Sequence, residues 1–232
     1  GYNSGFNLIE ISACSFKHNM GKNEGGAMCI NFFHTSIITD CNFQANHGNE
    51  GGAARIYTHI VNLINSSFTT NWCDKRGGAI ITTPSFPKES KDGMTIQDCI
   101  FMNNTSHQDG GGIHIGHFNE LYIVGTLFEF NIAIKSGGAV YHAPGQETTD
   151  RYQGKYRVVK VVLGQGNIFI HNTAHEQGIN LFSWILHICL FLSGAFLRNS
   201  LLPSQLKWGF LVHTYKWIIL LRQNSIILSI SP

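Results

Sequence analysis

The chain has 232 residues, of which 43% are hydrophobic and 12% aromatic, and this composition excludes an intrinsically disordered protein. Charged residues make up 13% and the net charge is +2, which excludes a strongly basic nucleic-acid-binding protein. The 25 glycines stand beside only 5 prolines, a balance that indicates a turn-rich β architecture.

A two-part motif repeats along the first 180 residues. Its first part is Phe-x-x-Asn, which occurs six times, at Phe16/Asn19, Phe43/Asn46, Phe68/Asn71, Phe101/Asn104, Phe128/Asn131 and Phe169/Asn172. Its second part is a glycine pair eight or nine residues after each phenylalanine, and this pair is degraded in the last copy. Self-similarity at such a spacing is typical of a solenoid, in which each repeat is one structural unit.

The columns of the repeat predict where the chain turns. Three residues before each phenylalanine stand Ala13, Asp40, Asn65, Asp98, Gly125 and Gly166. Asp, Asn and Gly tolerate a positive φ, so a corner is expected there. A second corner is expected at the asparagine, and a third strand begins at the glycine pair. Three short strands and three corners in about 25 residues describe one coil of a parallel β-helix.

The sequence therefore predicts an all-β protein, a right-handed parallel β-helix of the pectin-lyase-like type. About six coils are expected within residues 1–180, with the repeats themselves over 6–180. Equivalent side chains of neighbouring coils would stack about 4.8 Å apart. We thus expect stacked Phe and Ile in the interior, hydrogen-bonded asparagines along the solenoid, and glycines wherever backbones approach closely.

The pairing of GGA[ILMV] with FxxN resembles the repeats of chlamydial polymorphic outer membrane proteins and of related right-handed β-helix surface proteins. The glycine part reads Gly25-Gly26-Ala27, Gly51-Gly52-Ala53, Gly77-Gly78-Ala79 and Gly137-Gly138-Ala139. Members of that family are surface-exposed adhesins. The resemblance thus implies a non-enzymatic, adhesin-like binding protein that is secreted or displayed at the cell surface, with a cell-surface protein or glycan as its partner and no role in nucleic-acid binding.

Two insertions interrupt the repeat, at residues 84–92 and 143–156. Both follow the glycine strand, so we expect them on one side of the solenoid, two coils or about 10 Å apart. Long loops on a rigid scaffold commonly carry binding sites. The second loop is rich in basic and aromatic residues, which suit an acidic glycan or a protein surface. The predicted ligand-binding residues are Lys88, Lys91, Arg151, Tyr152, Lys155 and Tyr156. The alternative is a surface insertion without a ligand.

No catalytic residue, metal site or cofactor is predicted. The nearest candidate for acid–base chemistry or cation binding is the column before the glycines, which contains Glu24, Glu50, Arg76, Asp109, Ser136 and Gln177. Arg76 is expected to pair with Glu50 and Asp109, which favours a solvated corner of alternating charge. Two other functions stay open: a carbohydrate-active β-helix enzyme or its inactive relative, and a structural spacer in a larger extracellular protein.

Cysteines and glycosylation motifs fall on defined columns. Cys14, Cys41 and Cys99 stand two residues before a phenylalanine, where small residues otherwise occur, and this favours buried packing over disulfides. N-x-[ST] motifs begin at Asn65, Asn103 and Asn104. Because Asn104 belongs to the repeat, Asn65 and Asn103 are the predicted acceptors in a secretory context.

Residues 181–232 differ in composition, with four basic residues and no acidic one. Leu181 to Leu197 gives 17 residues without a charge, at the short limit for a membrane-spanning helix. Three interpretations of this apolar tail stay open. It is a transmembrane segment with the β-helix outside the cell, a helical cap over the open end of the solenoid, or an artefact of the gene model. The chain begins at Gly1, and we interpret it as a fragment or a processed piece.

Overall fold

The computed structural model describes residues 7–83, 92–116, 118, 120–143, 160–176, 181–183, 216–222 and 225–231. Every regular element in these ranges is a β-strand, and no helix occurs within them. The strands form three sheets. The chain runs through the first, the second and the third sheet in turn, and we call one such circuit a pass. The predicted all-β class is confirmed, and the arrangement is consistent with a parallel β-solenoid.

The first sheet contains twelve strands. They are β1 (Leu8–Ser12), β4 (Met28–Thr39), β7 (Ala54–Ile64), β10 (Ile80–Thr82), β11 (Gly93–Gln97), β14 (Ile113–Gly116), β15 (Glu120–Val124), β18 (Val140–Ala143), β19 (Lys160–Leu163), β22 (Leu181–Ser183), β23 (Lys216–Arg222) and β24 (Ser225–Ser231). The two long strands, β4 and β7, cross the whole width of the sheet. Later passes cross it in two pieces, such as β10 and β11, because a link interrupts them.

The second and third sheets contain six short strands each, all parallel. The second sheet is formed by β2 (Ser15–Lys17), β5 (Asn42–Gln44), β8 (Ser67–Thr69), β12 (Ile100–Met102), β16 (Leu127–Glu129) and β20 (Ile168–Ile170). The third is formed by β3 (Met20–Gly21), β6 (His47–Gly48), β9 (Trp72–Cys73), β13 (Thr105–Ser106), β17 (Ile132–Ala133) and β21 (Thr173–Ala174). The register pairs like with like: Phe43 lies opposite Phe68, and Phe101 opposite Phe128.

Residues with positive φ mark the first predicted corner. Here φ is 52° for Ala13, 55° for Asp40 and 44° for Asn65, and Gly125 and Gly166 also turn the chain. The corner therefore lies three residues before the phenylalanine, as the sequence predicts.

The second corner lies one residue earlier than predicted, before the asparagine rather than at it. Its positive-φ residues are His18, Ala45, Thr70, Asn103, Phe130 and His171. The chain thus turns at His18 and His171 rather than at the predicted Asn19 and Asn172. The asparagine that follows this corner places its amide in the stack.

Aromatic rings and aliphatic side chains fill the interior. The rings of the repeat phenylalanines stack nearly parallel, with centroids 4.8 to 4.9 Å apart from Phe16 to Phe169. Beside them lies the aliphatic column, which is fully buried at Ile38, Leu63, Ile96 and Ile123. Since one coil cannot bury its own apolar face, this stacking is the main source of stability that the repeat supplies.

A ladder of asparagine side chains runs next to the phenylalanine stack. The backbone N–H and the Nδ2 of Asn46 both donate to Oδ1 of Asn71, at 3.0 Å each. Asn71 donates in the same way to Asn104, and Asn104 to Asn131. The second Nδ2 hydrogen of Asn71 goes to the carbonyl of Phe43. Each buried amide is thereby satisfied, which removes the penalty for burying a polar group.

The two end members of the ladder differ from each other. Asn19 donates its backbone N–H and its Nδ2 to Oδ1 of Asn46, and the residue is exposed. Asn172 is 3% exposed, accepts both donors of Asn131 on its Oδ1, and donates its Nδ2 to the Phe128 carbonyl at 2.9 Å. Both end members thus keep their hydrogen bonds in the ladder, and Asn172 does so although the glycine pair of its repeat is degraded.

The glycine pairs permit backbones of neighbouring passes to touch. Gly51 and Gly77 have φ of 73°, a conformation that favours glycine. A Cβ on Gly78 would lie 2.0 Å from the carbonyl oxygen of Gly111, far inside van der Waals contact. The columns of the sequence therefore correspond to steric requirements of the stack.

The described parts of the C-terminal tail are strands. β22 pairs parallel with β18, and the antiparallel pair β23 and β24 joins the first sheet at β19. The helix proposed for the tail is therefore not found in residues 181–183, 216–222 and 225–231. Residues 184–197 of the predicted membrane segment lie outside the described residues. None of the described segments forms a helix of the length and apolarity that a membrane crossing requires.

Candidate binding surface

Three successive links leave the first sheet at one point. They connect β10 to β11, β14 to β15, and β18 to β19. Because β10, β14 and β18 are neighbours in the sheet, as are β11, β15 and β19, the links leave and rejoin the sheet one above another. The strands that precede the two insertions end in register, since Thr82 lies opposite Ile115 and Ile115 opposite His142. The insertions themselves, over 84–91 and 144–159, lie outside the described residues, so their common side and the separation of about 10 Å stay a prediction. Their predicted ligand-binding residues lie outside the described residues: Lys88, Lys91, Arg151, Tyr152, Lys155 and Tyr156.

The edges of both insertions differ from the prediction. Asp92, assigned to the first loop, is fully buried and precedes β11. Ala143 ends β18, and the chain rejoins the sheet only at Lys160. Hydrophobic patterning did not reveal these limits, because the residues flanking the insertions do not follow the columns of the repeat.

A buried histidine–carboxylate pair anchors the chain where the first insertion ends. Nδ1 of His59 lies 2.8 Å from Oδ1 of Asp92, and the His59 side chain is only 13% exposed. The His34 ring lies 5.5 Å from the His59 ring, and Nδ1 of His34 contacts the Thr35 hydroxyl at 3.0 Å. The carbonyl of Asp92 also accepts a hydrogen bond from the N–H of Glu120. These contacts fix the base of the loops, and the repeat motif does not indicate them.

Glu24, the first carboxylate of the charged column before the glycines, has its basic partner outside that column. Glu24 accepts a hydrogen bond from Arg55 at 2.8 Å, and the Arg55 guanidinium lies 4.2 Å from the centre of the Tyr57 ring. The Cys29 thiol donates to the other Glu24 oxygen. Burial and this carboxylate raise the pKa of Cys29 to about 11. The arginine that neutralises Glu24 therefore comes from β7 and not from the column itself.

Asp109 is the other carboxylate of that column. Burial raises its pKa, although a hydrogen bond from the Ser136 backbone and the charges of Lys135 and Arg76 act in the opposite direction. Within the part of the chain that the structure describes, no three His, Cys, Asp or Glu side chains are grouped as metal ligands. Glu24 and Asp109 thus lie near different basic residues: Arg55 near Glu24, and Lys135 and Arg76 near Asp109.

Several exposed apolar side chains lie on the second and third sheets of the later passes and at the corner between them. We call this set the apolar surface: Ile100, Leu127, Phe130, Ile132, Ile134 and Ile168. Between 40% and 48% of Ile100, Phe130, Ile132, Ile134 and Ile168 is exposed. Ser15, Asn42 and Ser67 occupy the equivalent outward positions of the second sheet in the earlier passes. Sequence analysis missed this surface, although the change from Ser and Asn to Ile and Leu within one column was a readable signal.

An aromatic cluster lies on the outer face of the third sheet. The ring of Trp72, which is 41% exposed, stacks on the ring of His47 with centroids 3.3 Å apart. Nε2 of His47 lies 3.2 Å from Oδ1 of Asp74, and the His107 ring lies 6.3 Å from Trp72. An exposed tryptophan with polar neighbours is a common element of contact surfaces.

The first corner carries a shallow groove of about 300 Å³. Its walls combine the polar side chains of Asp40, Asn42, Asn65, Ser67 and Asp98 with apolar surface, to which Ile100 contributes. Nδ2 of Asn65 donates to Oδ1 of Asp40 at 2.6 Å, and the Ser67 hydroxyl donates to Oδ1 of Asn42 at 3.0 Å. The groove thus lies directly beside one predicted glycosylation site.

The cysteines of the described residues are free thiols: Cys14, Cys29, Cys41, Cys73 and Cys99. Burial raises the pKa of Cys73 to about 12 and that of Cys99 to about 11, so both stay protonated. Cys41 and Cys99 are buried as expected, whereas Cys14 is exposed because it lies in the first described pass.

The three N-x-[ST] asparagines differ in accessibility. Asn65 and Asn103 are exposed, each at a corner with positive φ. Asn104 is fully buried in the ladder.

Comparison with known proteins agrees with the repeat. Residues 98–116 match the family model of the Chlamydia polymorphic membrane protein repeat. The chain is also similar to a protein named metabotropic glutamate receptor-like protein R from Dictyostelium discoideum. The identity is 26% over 186 residues, covering 72% of this chain. The chain spans about 11% of the length of that relative. No solved structure matches the chain.

Proposed function

We propose that this chain is a right-handed parallel β-helix of about six coils that acts as a non-enzymatic binding module, secreted or displayed at the cell surface. The observation that carries the proposal is the polymorphic membrane protein repeat at residues 98–116, set within a stack whose other passes use the same columns. The receptor-like name of the Dictyostelium relative supports a place at a membrane or cell surface.

The contact face in this proposal is the side where the three links leave the first sheet. The scaffold beneath is stiff, because stacked rings and the asparagine ladder hold each pass against the next. Loops held on such a scaffold lose little conformational freedom on binding, which favours affinity. The partner we propose is a cell-surface protein or glycan, held by several weak contacts that act together.

A carbohydrate-active enzyme is the main competing function. Enzymes of that type act through paired carboxylates on one surface. Here the Glu24 carboxylate is neutralised by Arg55, 2.8 Å away, and also accepts the Cys29 thiol hydrogen. An engaged carboxylate of this kind is poorly suited to act as a base or a nucleophile, and this supports the binding function.

The test is a binding measurement with the full chain on intact cells. Combined replacement of Arg151, Tyr152 and Tyr156 by alanine is expected to weaken binding at least tenfold, about 1.4 kcal/mol.

The control replaces Lys17, Lys22 and Lys135 by alanine, since these exposed residues adjoin the second and third sheets rather than the links. Equal loss in both variants would indicate non-specific attraction. If the unaltered chain binds no cells, the spacer function replaces this one; turnover of polyuronides that disappears with Glu24→Gln would establish the enzyme.

The tail belongs to a second part of the proposal. We propose that the apolar residues that follow β22, up to residue 197, attach the β-helix to a membrane, which predicts that the full chain resists alkaline extraction while a 1–183 chain is released. A full chain that is extracted as readily as the short one would exclude this attachment.

A further inference from the structure

We infer that Asn65 is an acceptor of an N-linked glycan, and that the groove at the first corner receives the first sugar of that glycan. The inference goes beyond binding and rests on the proposed function only in requiring that the chain enter the secretory pathway. It starts from the motif Asn65-Ser66-Ser67, which satisfies N-x-[ST].

The Asn65 side chain is exposed and already oriented. It sits at a corner with φ of 44°, and its Nδ2 donates one hydrogen to Oδ1 of Asp40 at 2.6 Å. Glycosylation replaces one of the two amide hydrogens with the sugar. The other hydrogen can still donate to Asp40, so the modified side chain keeps its anchor.

Asn104, by contrast, is excluded as a glycan acceptor. Its motif, Asn104-Thr105-Ser106, is equally complete. Its Nδ2, however, donates to the carbonyl of Phe68 at 2.8 Å and to Oδ1 of Asn131 at 2.9 Å, so both hydrogens are used. The residue is fully buried, and a sugar there would break the ladder. The structure therefore gives the physical reason for preferring Asn65 to Asn104, a preference that the repeat already indicated.

The groove gives the sugar a place to lie. Its volume of about 300 Å³ is at the lower end of small-molecule sites. Asn42, Ser67 and Asp98 offer hydrogen-bonding groups to the sugar hydroxyls, and Ile100 offers an apolar wall to a ring face. Asn103 lies at the other corner and is not among the residues that line this groove. A sugar on Asn65 should therefore stabilise the fold.

The first experiment locates the modification. The full chain, with an added leader peptide, is secreted from a eukaryotic host and analysed by intact and site-resolved mass spectrometry. We expect a glycan on Asn65 that is lost in Asn65→Gln and in Ser67→Ala and kept in Ser67→Thr. Ser67→Ala is the matched variant, because it removes the motif but leaves the Asn65–Asp40 contact. A folded, secreted chain without sugar on Asn65 overturns the inference.

The second experiment tests the groove. Asn103→Gln chains are prepared in two forms, one with the Asn65 glycan trimmed to a single sugar and one made with an inhibitor of glycan synthesis. We expect the sugar-bearing form to melt about 2 °C higher, and equal melting temperatures would exclude a sugar packed in the groove. Because the added leader peptide directs the chain into the secretory pathway, both experiments give a result whether or not the protein is secreted from its own gene. Failure of the chain to reach the surface from its own gene would contradict the proposed function alone.

Discussion

The inner and outer columns of this solenoid follow different rules. Inside, each position keeps the same or a closely similar residue type, so that Phe43, Phe68, Phe101 and Phe128 stack with almost identical geometry. Outside, the equivalent positions of the second sheet change from Ser67 to Ile100 between adjacent strands. The fold constrains what must stack and leaves the outer face free to vary, so differences in function should lie outside.

The links show the same contrast along the first sheet. β4 and β7 cross the sheet without interruption, whereas the next three passes open into links at one point. The Phe and Asn columns are unaffected by these insertions. Extra residues can therefore be added on this side at little cost to the stability of the core. Binding residues are consequently easiest to accommodate on this side.

The largest effect is expected where backbones touch. Gly78→Ala would place a Cβ 2.0 Å from the carbonyl oxygen of Gly111 and 2.7 Å from the Thr105 carbonyl carbon. We expect destabilisation of about 4 kcal/mol or more, measured by urea unfolding. The control is Gly164→Ala, whose Cβ would meet mainly the Val124 side chain, at 3.0 Å. A Gly78→Ala chain as stable as the control would show that the passes can separate.

The next effect concerns the asparagine ladder. Asn71→Leu keeps the size of the side chain but leaves the Asn46 donors and the Phe43 carbonyl without their partner. Unpaired buried groups cost about 1–3 kcal/mol each, so we expect a loss of about 3 kcal/mol in the free energy of unfolding. Asn49→Leu, whose amide makes one exposed contact to Asn23, should change stability by less than about 0.5 kcal/mol. Equal effects would mean that the ladder adds no stability.

The repeat explains why so much of the fold was predictable from sequence. A stack imposes the same or a similar residue type on each inner position, so spacing alone identified the ring stack, the ladder and the first corner. Features made once in the chain leave no periodic signal. The His59–Asp92 pair and the Glu24–Arg55 bridge join residues 33 and 31 positions apart, and a bridge from β7 into a neighbouring pass does not follow from any single column. The apolar surface was missed because outward residues are not required to match.

A matched pair of substitutions measures the inner–outer difference directly. Ile96 is fully buried and Ile100, four residues later, is 40% exposed. Replacing each by threonine keeps the branched side chain and adds one hydroxyl. We expect a loss of about 2 kcal/mol for Ile96→Thr from lost burial and an unsatisfied hydroxyl, and less than about 0.5 kcal/mol for Ile100→Thr. A large loss at Ile100 would show that the apolar surface is covered in solution.

The smallest effect is chemical and leaves the fold intact. Cys29 is exposed, yet its pKa is raised to about 11 by burial of the thiol and by Glu24. The reactive thiolate is therefore scarce at pH 8, and alkylation should accelerate as the pH rises towards 11. Glu24→Gln removes the charge that favours the protonated thiol, so the pKa falls and labelling at pH 8 should become severalfold faster.

Glu50→Gln is the control for this measurement and should leave the labelling rate unchanged. If both variants label Cys29 at the rate of the unaltered chain, desolvation alone sets the pKa and the Glu24 contact is incidental. A faster rate in Glu24→Gln alone would show that outer columns support specific chemistry even where the fold does not demand it.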